Sequence, residues 1–283
     1  MTKLFIDGEA AESVLASDRG LLYGHGLFET MRLSGSELPL LDLHLARLEA
    51  GARVLSIACD LTTLKSQLDF ILPGLPAEGL LKLILTAGDG LRGYRYHSVV
   101  RESKPRCLIQ YFPLDDGASE VRLSLCQYRL PDNPRLAGIK HLNRLDQVMA
   151  AAELPQDSDG LLLDQAGHVI EALSSNLFVL YRGQWLTPSL QRSGVAGVMR
   201  QLLMERVMPA LGLTPLSQDF GLEILQTAEE VFICNAVRGI TSVTEISGLA
   251  QTLFSAVRTP SGESTQTTVI KAELGRQYPC FGG

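Results

Sequence analysis

Two hydrophobic rhythms run along the chain, and together they divide it into elements. A period near 3.6 predicts a helix over 42–58, where Leu41, Leu45, Leu48, Ala52 and Leu55 share one stripe. The same period returns over about 64–72, stopping at Pro73-Gly74, and again after Gly197, where Met199, Leu203 and Val207 line up beside Val198 and Leu202 until the run fades at Pro209. Short apolar runs bounded by turn residues predict strands at 4–7, within 23–33, and at 80–86, 107–112, 121–128, 160–164, 168–172, 177–180, 230–234 and 240–246. Ser17-Asp18-Arg19-Gly20 reads as a polar turn, and Ser34-Gly35-Ser36-Glu37 as a hairpin turn. The end of the chain reads as strand, loop through Ser261-Gly262-Glu263-Ser264, and a last helix. The polar stretch 113–120 reads as a linker between a first domain, 1–112, and a second, 121–283.

Between these elements one stretch changes character. Leu130-Pro131-Asp132-Asn133-Pro134-Arg135 holds two prolines and excludes regular helix. Leu142, Leu145, Met149 and Ala152 then take the spacing of a helix packed on a core and running to Glu153. Lys140 stands at the changeover, next to a helix N-terminus whose dipole disfavours a cation. Partial desolvation there would bring a lysine below its reference of about 10.4. A Schiff-base lysine needs that, because only the neutral amine attacks a carbonyl. On position alone, most lysines near helix ends are solvated surface charges.

Composition narrows the classes. The chain has 283 residues, 46% of them hydrophobic, enough for a large core and two domains. Its 25 lysines and arginines form no run, and the net charge is -6, which speaks against a nucleic-acid partner. No apolar segment approaches the roughly 20 residues that cross a membrane. The N-terminus reads as a strand and turn rather than a signal peptide. Five scattered cysteines show neither metal-ligand spacing nor a disulfide framework, and point to a reducing cytoplasm.

Further candidates for chemistry follow. Arg47 lies on the flank of the first helical stripe beside His44, where an arginine stem can also simply cover apolar surface. Alternation places Glu171 on one face with Val169 and Leu173; a carboxylate buried there would need a cationic or hydrogen-bonding partner, while the commoner case is a strand-edge glutamate in water. The glycine-rich loop 87–95 carries Arg92, Tyr94 and Arg95, side chains able to hold a carboxylate, and reads equally well as a plain surface turn. Gly194-Val195-Ala196-Gly197 opens a helix, offering free backbone N–H groups suited to a phosphate. It is neither a Walker loop nor a dinucleotide fingerprint.

A reactive lysine, a strand glutamate some thirty residues on, a glycine-led helix start and an upstream arginine are what pyridoxal phosphate requires. With Ser17-Asp18-Arg19-Gly20, Tyr23-Gly24-His25-Gly26-Leu27-Phe28-Glu29-Thr30, His44-Leu45-Ala46-Arg47-Leu48, Ser174-Ser175-Asn176-Leu177-Phe178 and Gly194 to Arg200, the chain resembles the class IV (fold type IV) pyridoxal-phosphate enzymes. That family includes branched-chain and D-amino-acid transaminases and aminodeoxychorismate lyase. Gly138-Ile139-Lys140-His141-Leu142-Asn143-Arg144, with Arg92-Gly93-Tyr94 and Cys234-Asn235-Ala236, is most similar to the lyase branch, and the tyrosine that branched-chain transaminases carry shortly after the lysine is missing. His25 stands where the family commonly has Asp or Glu.

The resemblance implies a mixed α/β fold: a small N-terminal α+β domain, a larger C-terminal pseudo-barrel domain and the cofactor between them, in a homodimer acting on a small-molecule substrate. It implies that Lys140 carries the cofactor and moves the proton, and that Glu171 pairs with the ring nitrogen. Arg47 and the N–H groups of Val198 and Met199 would hold the phosphate, Asn235 and Ala236 would add a second contact, and Arg92 and Tyr94 would meet a substrate carboxylate. The implied reaction splits 4-amino-4-deoxychorismate into 4-aminobenzoate and pyruvate. A class IV transaminase, or a binding protein that has lost catalysis, are the other readings; the intact lysine, glutamate and arginine speak against the last.

Overall fold

The strand β3 (Gly26–Leu33) shows how the pattern becomes structure. Its inward positions are Leu27, Glu29, Met31 and Leu33, all buried, with half-buried Phe28, Thr30 and Arg32 between them. Helix α2 (Leu41–Val54) packs on β3 through the expected stripe, with Leu45, Leu48 and Ala52 each no more than 2% exposed. Each buried leucine of this kind contributes about 1.5–3 kcal/mol.

The computed structural model describes residues 3–90, 92–96, 104–115, 117–248, 252–256 and 265–282. Leu91, within the glycine-rich loop, and 261–264 lie outside the described residues. Two units emerge: Met1–Asp115 with Ile139–Asn143, and Asp116–Gly138 with Arg144–Gly283. In the first, β1 (Lys3–Ile6), β2 (Glu9–Ala10), β3, β4 (Gly79–Thr86) and β5 (Arg106–Phe112) form an antiparallel sheet in the order β2-β1-β5-β4-β3. Helices α1 (Arg19–Tyr23), α2 and α3 (Leu61–Ile71) complete it. Ser17 to Gly20 is therefore not a plain turn: Asp18 caps α1, its carboxylate accepting from Gly20 N–H at 2.7 Å.

The second unit holds β6 (Glu120–Leu130), α4 (Leu145–Ala151), β7 (Asp159–Asp164), β8 (Val169–Ala172), β9 (Asn176–Tyr181), β10 (Gln184–Pro188), α5 (Val198–Leu202) and α6 (Met208–Ala210). It ends with β11 (Leu216–Gln218), α7 (Leu222–Leu225), β12 (Glu230–Asn235), β13 (Gly239–Ser247), β14 (Thr252–Ser255) and α8 (Gln266–Gln277). Among the described residues its sheet runs β11-β10-β9-β12-β13-β6-β7-β8, with β14 on β13. Strands β6, β7 and β13 pair parallel, the rest mostly antiparallel. One π turn, Leu203–Val207, joins α5 to α6, so the helical run passes through Pro209 and ends just beyond it.

The stretch around Lys140 differs from expectation. Ile139–Asn143 pairs with β3: Phe28 N–H donates to the Lys140 carbonyl at 3.0 Å and Leu142 N–H to the Gly26 carbonyl at 3.0 Å. Those backbone groups are spent on a strand-like bridge, so the helix starts only at Leu145. Its apolar stripe is on the outside, with Leu145 75%, Val148 59% and Met149 55% exposed. The dipole argument for Lys140 therefore falls; what holds Lys140 is a strand.

Candidate active site

In the first unit the bridge to β3 sets Lys140 beside Phe28, its Nζ 4.4 Å from the ring centroid. Cation–ring contact of this kind is worth about 0.5–2 kcal/mol. Next along the strand and on its inner face is Glu29, 2% exposed. A carboxylate among leucines has to be paired, and α2 supplies both partners. Arg47 Nε–H donates to Glu29 Oε1 at 2.9 Å and its Nη2 to Oε2, while His44 Nδ1 meets Oε2 at 2.6 Å. Arg47 is thus no plain boundary arginine.

The charges of this trio follow from its burial. Desolvation alone would raise the Glu29 carboxyl, but the Arg47 charge and the hydrogen bonds from His44 and Arg47 outweigh it and hold it below the usual range. Burial pushes the His44 imidazolium down; Glu29 pulls the other way, and the Arg47 and Lys140 charges add to the lowering. His44 is therefore neutral, with Nδ1–H on the carboxylate, and its buried Nε2 has no hydrogen-bond partner among the described residues.

In the second unit Glu171 is only 4% exposed, so the strand buries the carboxylate rather than leaving it in water. Its Oε2 accepts from Val195 N–H at 2.8 Å, and its charge acts on Arg144, whose guanidinium burial lowers while Glu171 and Asp146 raise it. Gly194, at φ +82°, leaves that approach open; a Cβ there would lie 3.1 Å from Glu171 Oε2. Asn176 on β9 pins the same turn through Nδ2–H to the Val195 carbonyl at 2.9 Å, and a Cβ on Gly197 would overlap its Oδ1. Gly197 gives α5 no side-chain cap, so Val198 and Met199 open the helix with N–H groups that no capping side chain occupies.

Asn235 caps its own turn, Oδ1 accepting from Val237 and Arg238 N–H at 3.0 and 2.9 Å, while Nδ2 donates to Ser175 Oγ at 3.0 Å. With Ser174, Ser175 and Thr241 it borders a cavity of about 590 Å³; Ala236 follows it, half-buried. Arg92 and Tyr94 are exposed, Tyr94 resting edge-on to Tyr23 at 5.5 Å. The structure thus brings together Lys140 and Arg47 in one cluster, and Glu171 with the turn before Val198 in another. It adds Glu29, His44 and Arg144, which sequence reasoning missed. Glu29 was visible in the alternation of β3, as a carboxylate in register with Leu27, Met31 and Leu33.

The fold and these clusters define the class. The chain belongs to the amino-transferase class IV family, whose model matches residues 26–246. It is 33% identical over 251 residues to an aminodeoxychorismate lyase from Vibrio harveyi, covering 86% of this chain and 91% of the relative. The crystal structure of a 4-amino-4-deoxychorismate lyase from Pseudomonas aeruginosa superposes with a TM-score of 0.87 at 37% identity, covering 97% of this chain and 99% of that one. A D-alanine aminotransferase from Bacillus licheniformis is 27% identical over 281 residues, covering 96% and 97% of the two chains. The fold is mixed α/β, that of the fold type IV enzymes.

Proposed function

We propose that the chain is a pyridoxal-phosphate lyase that converts 4-amino-4-deoxychorismate to 4-aminobenzoate and pyruvate. The observation that carries this reading is Lys140, clamped by backbone pairing with its amine against Phe28 and next to the Glu29–His44–Arg47 trio. The residues fit the cofactor on three counts: a half-buried lysine, a buried carboxylate at Glu171, and the uncapped start of α5. Similarity to the lyases through most of the chain favours them over the transaminases.

When bound, pyridoxal phosphate supplies an aldehyde for the substrate amine and a ring that delocalises the charge left by proton removal. Arg47 and the N–H groups of Val198 and Met199 would hold its phosphate, and Asn235 and Ala236 would add a second contact. Glu29 fixes one edge of the Arg47 guanidinium, so the arginine enters the site already oriented. Glu171, its carboxylate oriented by Val195 N–H, would pair with the ring nitrogen and keep it protonated. Lys140 Nζ takes the proton from the amine-bearing carbon of the substrate. The carbon–oxygen bond to the three-carbon side chain then breaks, the six-membered ring aromatises, and pyruvate leaves. Arg92 and Tyr94 meet a substrate carboxylate.

The exposed row Leu145, Val148 and Met149 supports a homodimer, since such a patch on a monomer is unfavourable in water. Among the described residues no helix is long and apolar enough to cross a membrane. Burial pushes the Cys107 and Cys234 thiols up to about 12, as inert core groups, and we place the enzyme in the reducing cytoplasm. The test is to supply 4-amino-4-deoxychorismate with no amino acceptor and follow pyruvate. Equal release of pyruvate and 4-aminobenzoate is expected. Absence of pyruvate, with amino transfer from a D- or branched-chain amino acid to a 2-oxo acid, would assign the chain to the transaminases.

A further inference from the structure

Arg19, the first residue of α1, is 3% exposed, and among the described residues no carboxylate pairs with it. Its donors go elsewhere. Nη1 donates to the Gly93 carbonyl at 3.0 Å and Nη2 to the Tyr94 carbonyl at 3.1 Å. The guanidinium lies 4.8 Å from the Tyr23 ring and 5.5 Å from that of Tyr96. Gly93 N–H returns a bond to the Tyr23 hydroxyl at 3.1 Å. Three hydrogen bonds from Arg19 and Tyr23 of α1 therefore fix the backbone at Gly93 and Tyr94, the segment that bears Arg92 and Tyr94.

The third edge of Arg19 decides when this holds. Its Nε–H, which can only donate, points at His25 Nδ1 at 3.2 Å. Nδ1 is then the unprotonated nitrogen, and the ring proton sits on Nε2, donating to the Leu55 carbonyl at 2.9 Å. Both nitrogens are assigned, and the ring is neutral. From the elements around it, His25 is faced by Arg19 of α1, the Leu55 carbonyl at the end of α2, and the Tyr96 ring edge-on at 4.8 Å. A second ring proton would set two N–H donors head to head and press two cations together in a buried spot.

We propose that Arg19 is a positioning residue for the Arg92–Tyr94 segment, that neutral His25 is the acceptor orienting it, and that protonation of His25 releases the segment and weakens substrate capture. A proton on Nδ1 would remove the acceptor that orients Arg19, so protonation of the imidazole opens the latch. A carboxylate in place of the imidazole would keep Arg19 tied. The kinetic half of this inference rests on the lyase reading and on Arg92 and Tyr94 meeting substrate; the structural half does not.

The experiment uses cofactor-loaded protein at about pH 8 and pH 5.5. Hydrogen-exchange protection of the Gly93 amide, corrected for intrinsic rates, is followed in wild type and in His25→Asp. Wild type should lose protection at the lower pH and His25→Asp should keep it. With 4-amino-4-deoxychorismate as substrate, the wild-type KM should rise on acidification by about tenfold more than that of His25→Asp, the size of one charged hydrogen bond. Long-range proton–nitrogen spectra should show His25 Nδ1 unprotonated at the higher pH, a signature that a merely structural histidine need not give. Equal protection at both pH values in wild type, or the same loss in His25→Asp, would overturn the proposal. If exchange behaves as expected but no turnover occurs, the latch stands and the substrate assignment fails.

Discussion

At the scale of residues, the trio Glu29, His44 and Arg47 is the most consequential group in the first unit. Glu29→Gln keeps the shape but leaves the Arg47 charge without its counter-ion, and should cost about 3–5 kcal/mol in urea unfolding. His44→Asn, which removes one hydrogen bond, should cost about 1–2 kcal/mol. Both groups also set the acid limit. His44 has its folded value lowered, so its contribution is present above the ordinary imidazole value and erodes as pH falls below about 6.5. Glu29 is likewise lowered, so its contribution is complete above the ordinary carboxyl value of about 4.3 and is lost below it. Stability measured by urea midpoint should therefore fall in two stages between about pH 7 and 3, and the first stage should vanish in His44→Asn. A single stage, unchanged in that variant, would contradict the assignment. Arg47 was legible as a helical arginine, but its partner was not: Glu29 lies 18 residues away and meets it only once α2 folds back on β3.

At the scale of elements, the turn before α5 carries the strongest constraint. Gly197→Ala would drive a Cβ into Asn176 Oδ1, displacing the side chain that pins the turn. The expected cost is about 1–3 kcal/mol of stability, with loss of affinity for added pyridoxal phosphate in an equilibrium titration. Unchanged affinity would mean that the start of α5 does not hold the phosphate. The strands, α2 and the glycine-led start of α5 could be read from periodicity, because each is a local pattern with its own core face. The stretch after Lys140 could not. Its helical spacing is real, yet Leu142 is bound to Gly26, more than a hundred residues earlier, and the stripe of α4 faces outward. Apolar period alone does not distinguish a core-facing stripe from one that faces outward.

At the scale of the whole molecule, that outward stripe bears on assembly. If the proposed homodimer forms through it, Val148→Glu combined with Met149→Glu should shift scattering mass from dimer to monomer, and an unaltered dimer would move the interface elsewhere. The two side-chain clusters belong to separate units, yet Lys140 travels with the first although residues on both sides of it belong to the second. Sequence reading singled out the lysine, the glutamate and the helix start; Glu171 is buried and the start of α5 uncapped, while Lys140 is set by its pairing with β3 and not by a helix dipole. It missed Arg144, whose link to Glu171 depends on tertiary placement. The central claim, that Lys140 carries the cofactor, has a direct test in borohydride reduction of protein loaded with pyridoxal phosphate, followed by peptide mass mapping. The expected result is a pyridoxyl adduct on the peptide bearing Lys140 and on none of the other five lysines. An adduct on another lysine, or none at all, would contradict it.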